Sequence, residues 1–143
     1  MRNKFPLEAV LMLRRNMEAL QAVKLKEIKD KRRVLLEELS GVGEEIGRLA
    51  SEKPSLSSAF ELASGQKYSE LLYRRCDLIR SEIQKTAARE SAQRKELLAA
   101  LKERKKMEKL KEIWAEKRAL ELAKAEAVEM DETARVQFAR SGR

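Results

Sequence analysis

The 143-residue chain carries 32 Lys or Arg against 24 Asp or Glu, a net charge of +8, with 39% of its residues charged and only 4% aromatic. The lone Cys76 excludes an internal disulfide and a multi-cysteine zinc site, and the absence of His removes the commonest general base and metal ligand. Ala, Glu, Lys, Leu and Arg dominate while five Gly and two Pro leave little material for the turns of a sheet, so an all-α chain without metal, cofactor or catalytic site is expected.

Pro6 suits the first turn of a helix, where its missing N–H costs nothing, and Glu8 stands where the helix dipole favours an acid. A first helix is expected over about residues 6–52. Val10, Leu13, Met17 and Leu20 keep a 3-4-3 spacing, and Ile28, Leu35, Leu39, Val42, Ile46 and Leu49 continue it. The step from Met17 to Ile28 is one stutter of about 11 residues, which relaxes supercoiling locally. So narrow an apolar stripe belongs to a coiled coil rather than to a globular helix. Gly41, Gly43 and Gly47 each cost about 1 kcal/mol of helix propensity relative to Ala, which predicts a bend or fraying there.

Lys53-Pro54-Ser55 ends this pattern, because Pro disfavours a helical residue before it. Ser58-Ala59-Phe60-Glu61 reads as a capping box, so the connection, about residues 53–65, can hold a short helix ending at Ser64-Gly65. A second, longer helix is expected over about residues 66–138, with Leu72, Cys76, Ile79 and Ile83 on one stripe and Leu97, Leu101, Met107, Leu110 and Trp114 further along. Cys76 reads as a small core residue. Between these sets, residues 84–96 offer only alanines and Thr86 to a seam, which predicts the weakest packing of the chain.

Two long helices with a short connection fold back as an antiparallel hairpin, so the fold class expected is an elongated two-helix coiled coil forming a single domain over 1–143. At 1.5 Å per residue the first helix spans roughly 70 Å and the second roughly 110 Å. With the turn centred near residue 58 or 59, Phe5 falls opposite Lys111 to Trp114. The last ~25 residues then project as an unpaired helix of roughly 35 Å. That overhang carries Leu120, Leu122, Val128, Met130 and Phe138 without cover, and an isolated helix of this length is marginal in water, so a partner is expected.

Charge is unevenly spread. Residues 84–119 hold twelve Lys or Arg against six Glu, whereas residues 120–143 hold four Arg or Lys against five Asp or Glu. Within that basic band Lys102, Arg104, Lys105, Lys106, Lys109 and Lys111 are expected to face Arg14 and Arg15. Such a band suits nucleic acid, acidic lipid or an acidic protein surface, but interspersed Glu103, Glu108 and Glu112 and the scarcity of aromatic residues argue against nucleic acid. Two alternatives are a basic nucleic-acid-binding coiled coil and a homodimeric scaffold whose overhangs pair. Gly41-Val42-Gly43-Glu44-Glu45-Ile46-Gly47 is not a phosphate loop, since no strand precedes it, no Lys-Ser/Thr follows it and two carboxylates would meet the phosphates. No apolar run approaches the ~20 residues of a membrane span, and Met1 to Glu8 lacks the apolar core of a signal peptide, so a cytoplasmic location is expected.

The two ends carry a more specific signal. Phe5-Pro6-Leu7-Glu8-Ala9-Val10-Leu11-Met12-Leu13-Arg14 resembles the opening of the flagellar export protein FliJ family, in which an aromatic, a Leu two residues on, and an apolar pair before a basic residue start the first helix. Glu129-Met130-Asp131-Glu132, with Ala134, Gln137 and Phe138, resembles that family's acidic ending. The injectisome YscO family is similar, sharing the aromatic-Pro-Leu-Glu start and a Trp where Trp114 stands; Met130-Asp131-Glu132 with Gln137-Phe138 favours the flagellar branch.

The resemblance implies a non-catalytic stalk of a type III export apparatus, monomeric when free and peripherally associated with the inner-membrane machinery. Its paired termini would enter the pore of a hexameric export ATPase, its tip would reach the membrane export gate, and it would help to recycle export chaperones. By this resemblance Phe5, Leu7, Val10, Leu11 and Arg14, with Met130, Asp131, Glu132 and Phe138, are the expected ATPase contacts. Phe60, Tyr68, Leu72 and Tyr73 are the expected contacts to the gate.

Overall fold

The computed structural model describes residues 4–52 and 59–142. It is built from two helices, α1 (Glu8–Ser51) and α2 (Ala59–Ser141), with no strand among the described residues. Pro6 and Leu7 form a turn before α1, in which the Glu8 amide donates to the Phe5 carbonyl at 3.1 Å. Lys53-Pro54-Ser55 and Ser58 of the expected capping box lie outside the described residues.

Two expectations about helix continuity are overturned. No separate short helix ends at Ser64-Gly65, because α2 starts at Ala59 and runs through Gly65 without a break. Residues 41–47 do not fray: α1 continues to Ser51, with Val42 buried and Ile46 half-buried between the glycines. The propensity cost of about 1 kcal/mol per glycine is smaller than the gain of roughly 1.5–3 kcal/mol from burying a side chain such as Val42. A Cβ added at Gly41, Gly43 or Gly47 would meet nothing within 4 Å, so these glycines face away from the packed side.

The chain divides into two compact units, Met1–Glu18 with Ala100–Arg143, and Ala19–Ala99. In each, a segment of α1 runs antiparallel to a segment of α2, the pairing of a two-helix hairpin. The order of contacts shows it: in the first unit Glu8 meets Lys111, Arg15 meets Glu108 and Glu18 meets Arg104. In the second, Gln21 meets Gln93, Glu38 meets Arg75 and Glu45 meets Tyr68.

The covered stripe is not the one that apolar spacing alone selects. Leu13, Met17 and Leu20, expected on the seam, are 55%, 41% and 53% exposed. The covered positions of α1 are instead Leu11, Arg14, Glu18, Gln21, Leu25 and Ile28, and the same 3-4 alternation continues through Arg32, Leu35, Leu39, Val42, Ile46 and Leu49. This register has no stutter. On α2 the alternation runs through Leu72, Cys76, Ile79, Ile83, Thr86, Glu90 and Gln93, then Leu97, Ala100, Arg104, Met107, Lys111, Trp114 and Arg118. Leu110, expected on this stripe, is 47% exposed.

The apolar heart of the second unit is Val42, Leu72, Cys76 and Ile79, packed by Leu35, Leu39, Ile46, Leu49 and Ile83. Cys76 takes the core position expected of it. Residues 84–96, expected to be the weakest stretch, contain two of the most completely buried side chains, Thr86 and Glu90, at 1% and 3% exposure. Thr86 folds its hydroxyl back to donate to the Glu82 carbonyl at 2.8 Å. Glu90 is held between two guanidinium groups: Arg94 donates to Oε1 at 2.8 Å, and Arg32 Nη1 lies 2.5 Å from Oε2 as an ion pair without hydrogen-bond alignment. Gln93 Nε2 donates to both the backbone carbonyl and the side-chain oxygen of Gln21, at 3.1 and 2.5 Å. The seam there is polar and filled rather than empty.

A buried carboxylate with two arginines is costly to leave half-broken. Glu90→Ala is expected to lower stability by about 1–3 kcal/mol, because it strands Arg32 and Arg94 and opens a gap, while Glu90→Leu recovers most of that loss. Urea unfolding followed by helical circular dichroism measures both, and equal losses in the two variants would show that the paired carboxylate, not packing at this position, is decisive.

Candidate docking surface

The unit that joins the N-terminal part of α1 to the C-terminal part of α2 is closed by an aromatic pair. Phe5 is buried, and its ring centre lies 5.9 Å from that of Trp114 at an interplanar angle of 59°, a tilted arrangement that aromatic quadrupoles favour. Phe5 therefore stands opposite Trp114, within the range Lys111 to Trp114 expected for it. Leu11 is fully covered behind it. Glu8, read from sequence as a complement to the helix dipole, also pairs with Lys111 Nζ at 2.9 Å.

A charged cluster continues the seam. Arg104 donates to Glu18 through Nε and to Glu108 Oε2 through Nη1 at 2.7 Å, and Arg15 Nη2 reaches Glu108 Oε1 at 3.5 Å. Hydrogen bonds to Glu18 first, then to Glu108, hold the Arg104 guanidinium above its ordinary pKa. The Glu108 carboxyl is held below its ordinary 4.5, mainly by the Arg104 hydrogen bond and further by Arg15, against a smaller opposing effect of burial. Arg15 thus does not simply face the basic band, since Glu108 stands against it.

Beyond this closed part lies bare helix. Every residue from Ala119 to Gly142 is exposed, including Met130 at 73% and Phe138 at 80%. Shallow grooves run along it, one lined by Glu126, Glu129, Met130, Thr133, Ala134 and Gln137. Thr133 and Ser141 turn their hydroxyls onto the Glu129 and Phe138 carbonyls at 2.8 and 3.1 Å.

The residues expected to meet the ATPase fall into two groups. Phe5 and Leu11 are buried in the helix pair, where they position its end, and Val10 and Arg14 are half-buried. Leu7, Met130, Asp131, Glu132 and Phe138 present themselves to solvent. In the basic band Arg104 and Lys111 belong to the seam, Lys106 and Lys109 pair along the helix with Glu103 and Glu112, and Lys102 and Lys105 are exposed without an ion pair among the described residues. In the other unit Phe60, Tyr68 and Tyr73 are exposed, while Leu72 belongs to the core and offers no surface.

Sequence reasoning missed Glu18, Gln21, Arg32, Glu90 and Gln93 as seam residues. The signal was present in the spacing: each stands on a 3-4 alternation that runs from apolar residues on one side, Leu11 or Ile28 on α1 and Ile83 on α2, to apolar residues on the other, Leu25, Leu35 and Leu97. Among the described residues no group of His, Cys, Asp and Glu is placed to hold a metal ion, and no helix is long and apolar enough to cross a membrane.

The family model described as Flagellar FliJ protein matches residues 3–143 of the chain. Comparison with curated proteins and with solved structures returned no match.

Two measurements check this geometry. Phe5→Ala is expected to shift the emission of Trp114 to the red and to speed amide exchange over residues 8–18, with little change in the midpoint of global unfolding. Because the Glu108 carboxyl is depressed in the folded chain, its contribution to stability is present above about pH 4.5 and is lost as pH falls through the lower folded value. Glu108→Gln should therefore be less stable than the parent at neutral pH and lose less on acidification, as followed by thermal melts across pH 3 to 7.

Proposed function

The chain belongs to the FliJ family of flagellar type III export components, and on that premise we propose that it is the stalk of a hexameric export ATPase. In this reading the end of α2 enters the pore of the ring, promotes assembly and hydrolysis, and takes no part in the chemistry itself. The observation that carries the reading is the stretch 119–141, helical and exposed at every residue, beyond the part of α2 that packs on α1. An apolar helical face without an internal partner is the form that helix-in-groove recognition uses.

The structure's division of the site residues refines the expected contacts. Leu7, Met130, Asp131, Glu132 and Phe138 are the surface offered to the ATPase, and Phe5, Leu11 and Trp114 fix the end of α1 from which Leu7 projects. Lys102 and Lys105 are the cations available to acidic loops of a ring. Phe60, Tyr68 and Tyr73 are the surface offered to a membrane export gate, and the exposed band leaves room for export chaperones. Nucleic-acid binding is less favoured, since the helix acids neutralise Arg104, Lys106, Lys109 and Lys111 in place.

Mixing the purified chain with its cognate ATPase is expected to raise ATP hydrolysis severalfold and to populate hexamers. Met130→Asp and Phe138→Ala should each weaken this effect by about tenfold, the usual scale of an anchor residue, with unchanged helicity. If micromolar chain alters neither assembly nor turnover, the stalk reading fails.

A further inference from the structure

We propose that the exposed stretch of α2 beyond Ala119 is self-complementary, and that in the free protein, in place of the monomer that the resemblance implies, a second copy of this chain occupies it, the two stretches packing antiparallel. An apolar repeat with 3-4 spacing runs through Leu120, Ala123, Ala127, Met130, Ala134 and Gln137, with the large Phe138 at its edge. At about 100° per residue this face lies on average about 150° around the helix from Arg118, the last half-buried residue of α2. A helix laid on it would therefore not collide with α1.

The repeat reads almost alike in both directions. Against its own reversed copy, Ala127 meets Met130, Ala123 meets Ala134, and Leu120 meets Gln137 and its neighbour Phe138. The alanines let the two backbones approach closely, and Leu120, Met130 and Phe138, among the most exposed apolar side chains of the chain, gain cover.

Charge decides both the partner and the direction. In the same register Lys124 meets Asp131 and Glu132, Glu121 meets Arg135, and Glu116 meets Arg140, and a two-fold axis makes each contact twice. Glu126 falls opposite Thr133, and Glu129 stands on the outer side of the stripe. Parallel pairing instead sets Glu126 beside Asp131 of the other copy at both edges, a repulsion with no compensating contact there. Opposite charges matched along a whole interface set orientation and reject other arrangements, even where each pair adds little affinity. An isolated helix this short gains order only when its face is covered, so a reversible, concentration-dependent dimer is expected. The pairing stands on residues 116–140 alone and needs no ATPase. Because it uses the face proposed for ATPase docking, the two occupants exclude each other.

The test is sedimentation velocity of the full chain without any ATPase, from roughly 10 to 500 µM, the range in which a pairing of three heptads is expected to equilibrate. Supporting results are a monomer–dimer equilibrium that weakens at least severalfold in Lys124→Glu and in Asp131→Lys, and recovers when the two variants are mixed in equal amounts. The mixture restores opposite charges at both Lys124–Asp131 contacts, which neither variant does alone. Circular dichroism of each variant at low concentration verifies that the monomer keeps its helicity, as substitution of fully exposed residues should allow. A chain that stays monomeric up to 500 µM overturns the proposal, as does a dimer indifferent to both reversals or one that mixing fails to restore. These outcomes leave the ATPase reading untouched, since that reading is judged by hydrolysis.

Discussion

Each helix of this chain can cover only a narrow stripe, and every turn of that stripe must be filled from the facing helix. The rest of the structure depends on this constraint. With 39% of residues charged, apolar side chains are too few to fill all turns, so the register is completed by Glu18 with Arg104, Gln21 with Gln93, and Glu90 between Arg32 and Arg94. These layers add less stability than leucines would. They bring specificity in return, because a slip of one heptad would leave a buried carboxylate or amide without its partner.

The division of labour along the chain follows from where the stripe is apolar. Val42, Leu72, Cys76 and Ile79 form a compact apolar core in one unit. In the other, Phe5, Leu11 and Trp114 are joined by ion pairs at Glu8, Glu18 and Glu108. Its stability is correspondingly more sensitive to acid and salt. Where α1 has no residues left to offer, α2 continues as bare helix, and its apolar side chains, Leu120, Met130 and Phe138 among them, stay exposed. The inequality between 44 and 83 helical residues thus leaves the end of α2 without a helix to cover it.

Much was legible before the structure. Composition and the absence of strand-forming runs specified two helices, the place of the turn set Phe5 opposite Lys111 to Trp114, and their unequal lengths left the last residues standing alone. Burial at individual positions was less legible. Val10, Leu13, Met17 and Leu20 form as regular a stripe as the true one, and only the facing helix decides between them. Thr86, Glu90 and Gln93 looked like a gap because a stripe was sought in apolar residues, whereas paired polar groups fill a seam equally well once each has its partner. The glycines at 41, 43 and 47 misled for a related reason: local propensity is worth less than the burial of Val42 and Ile46 beside them.

The sequence by itself determined the helical class, the antiparallel order, the overhang, the distribution of charge and, through its two ends, the family. These are properties of composition, length and period, and need no knowledge of a neighbour. Only the tertiary structure decided which of two adjacent stripes is covered, that Phe5 and Leu11 are fasteners while Leu7, Met130 and Phe138 are surface, and that Leu72 is core while Tyr68 and Tyr73 are exposed. The physical reason is that burial belongs to a pair of helices: a rotation of one helix by about 100°, a single residue's step, exchanges seam for surface. That rotation is set by the sum of contacts across the seam, including the buried Glu90 and its two arginines.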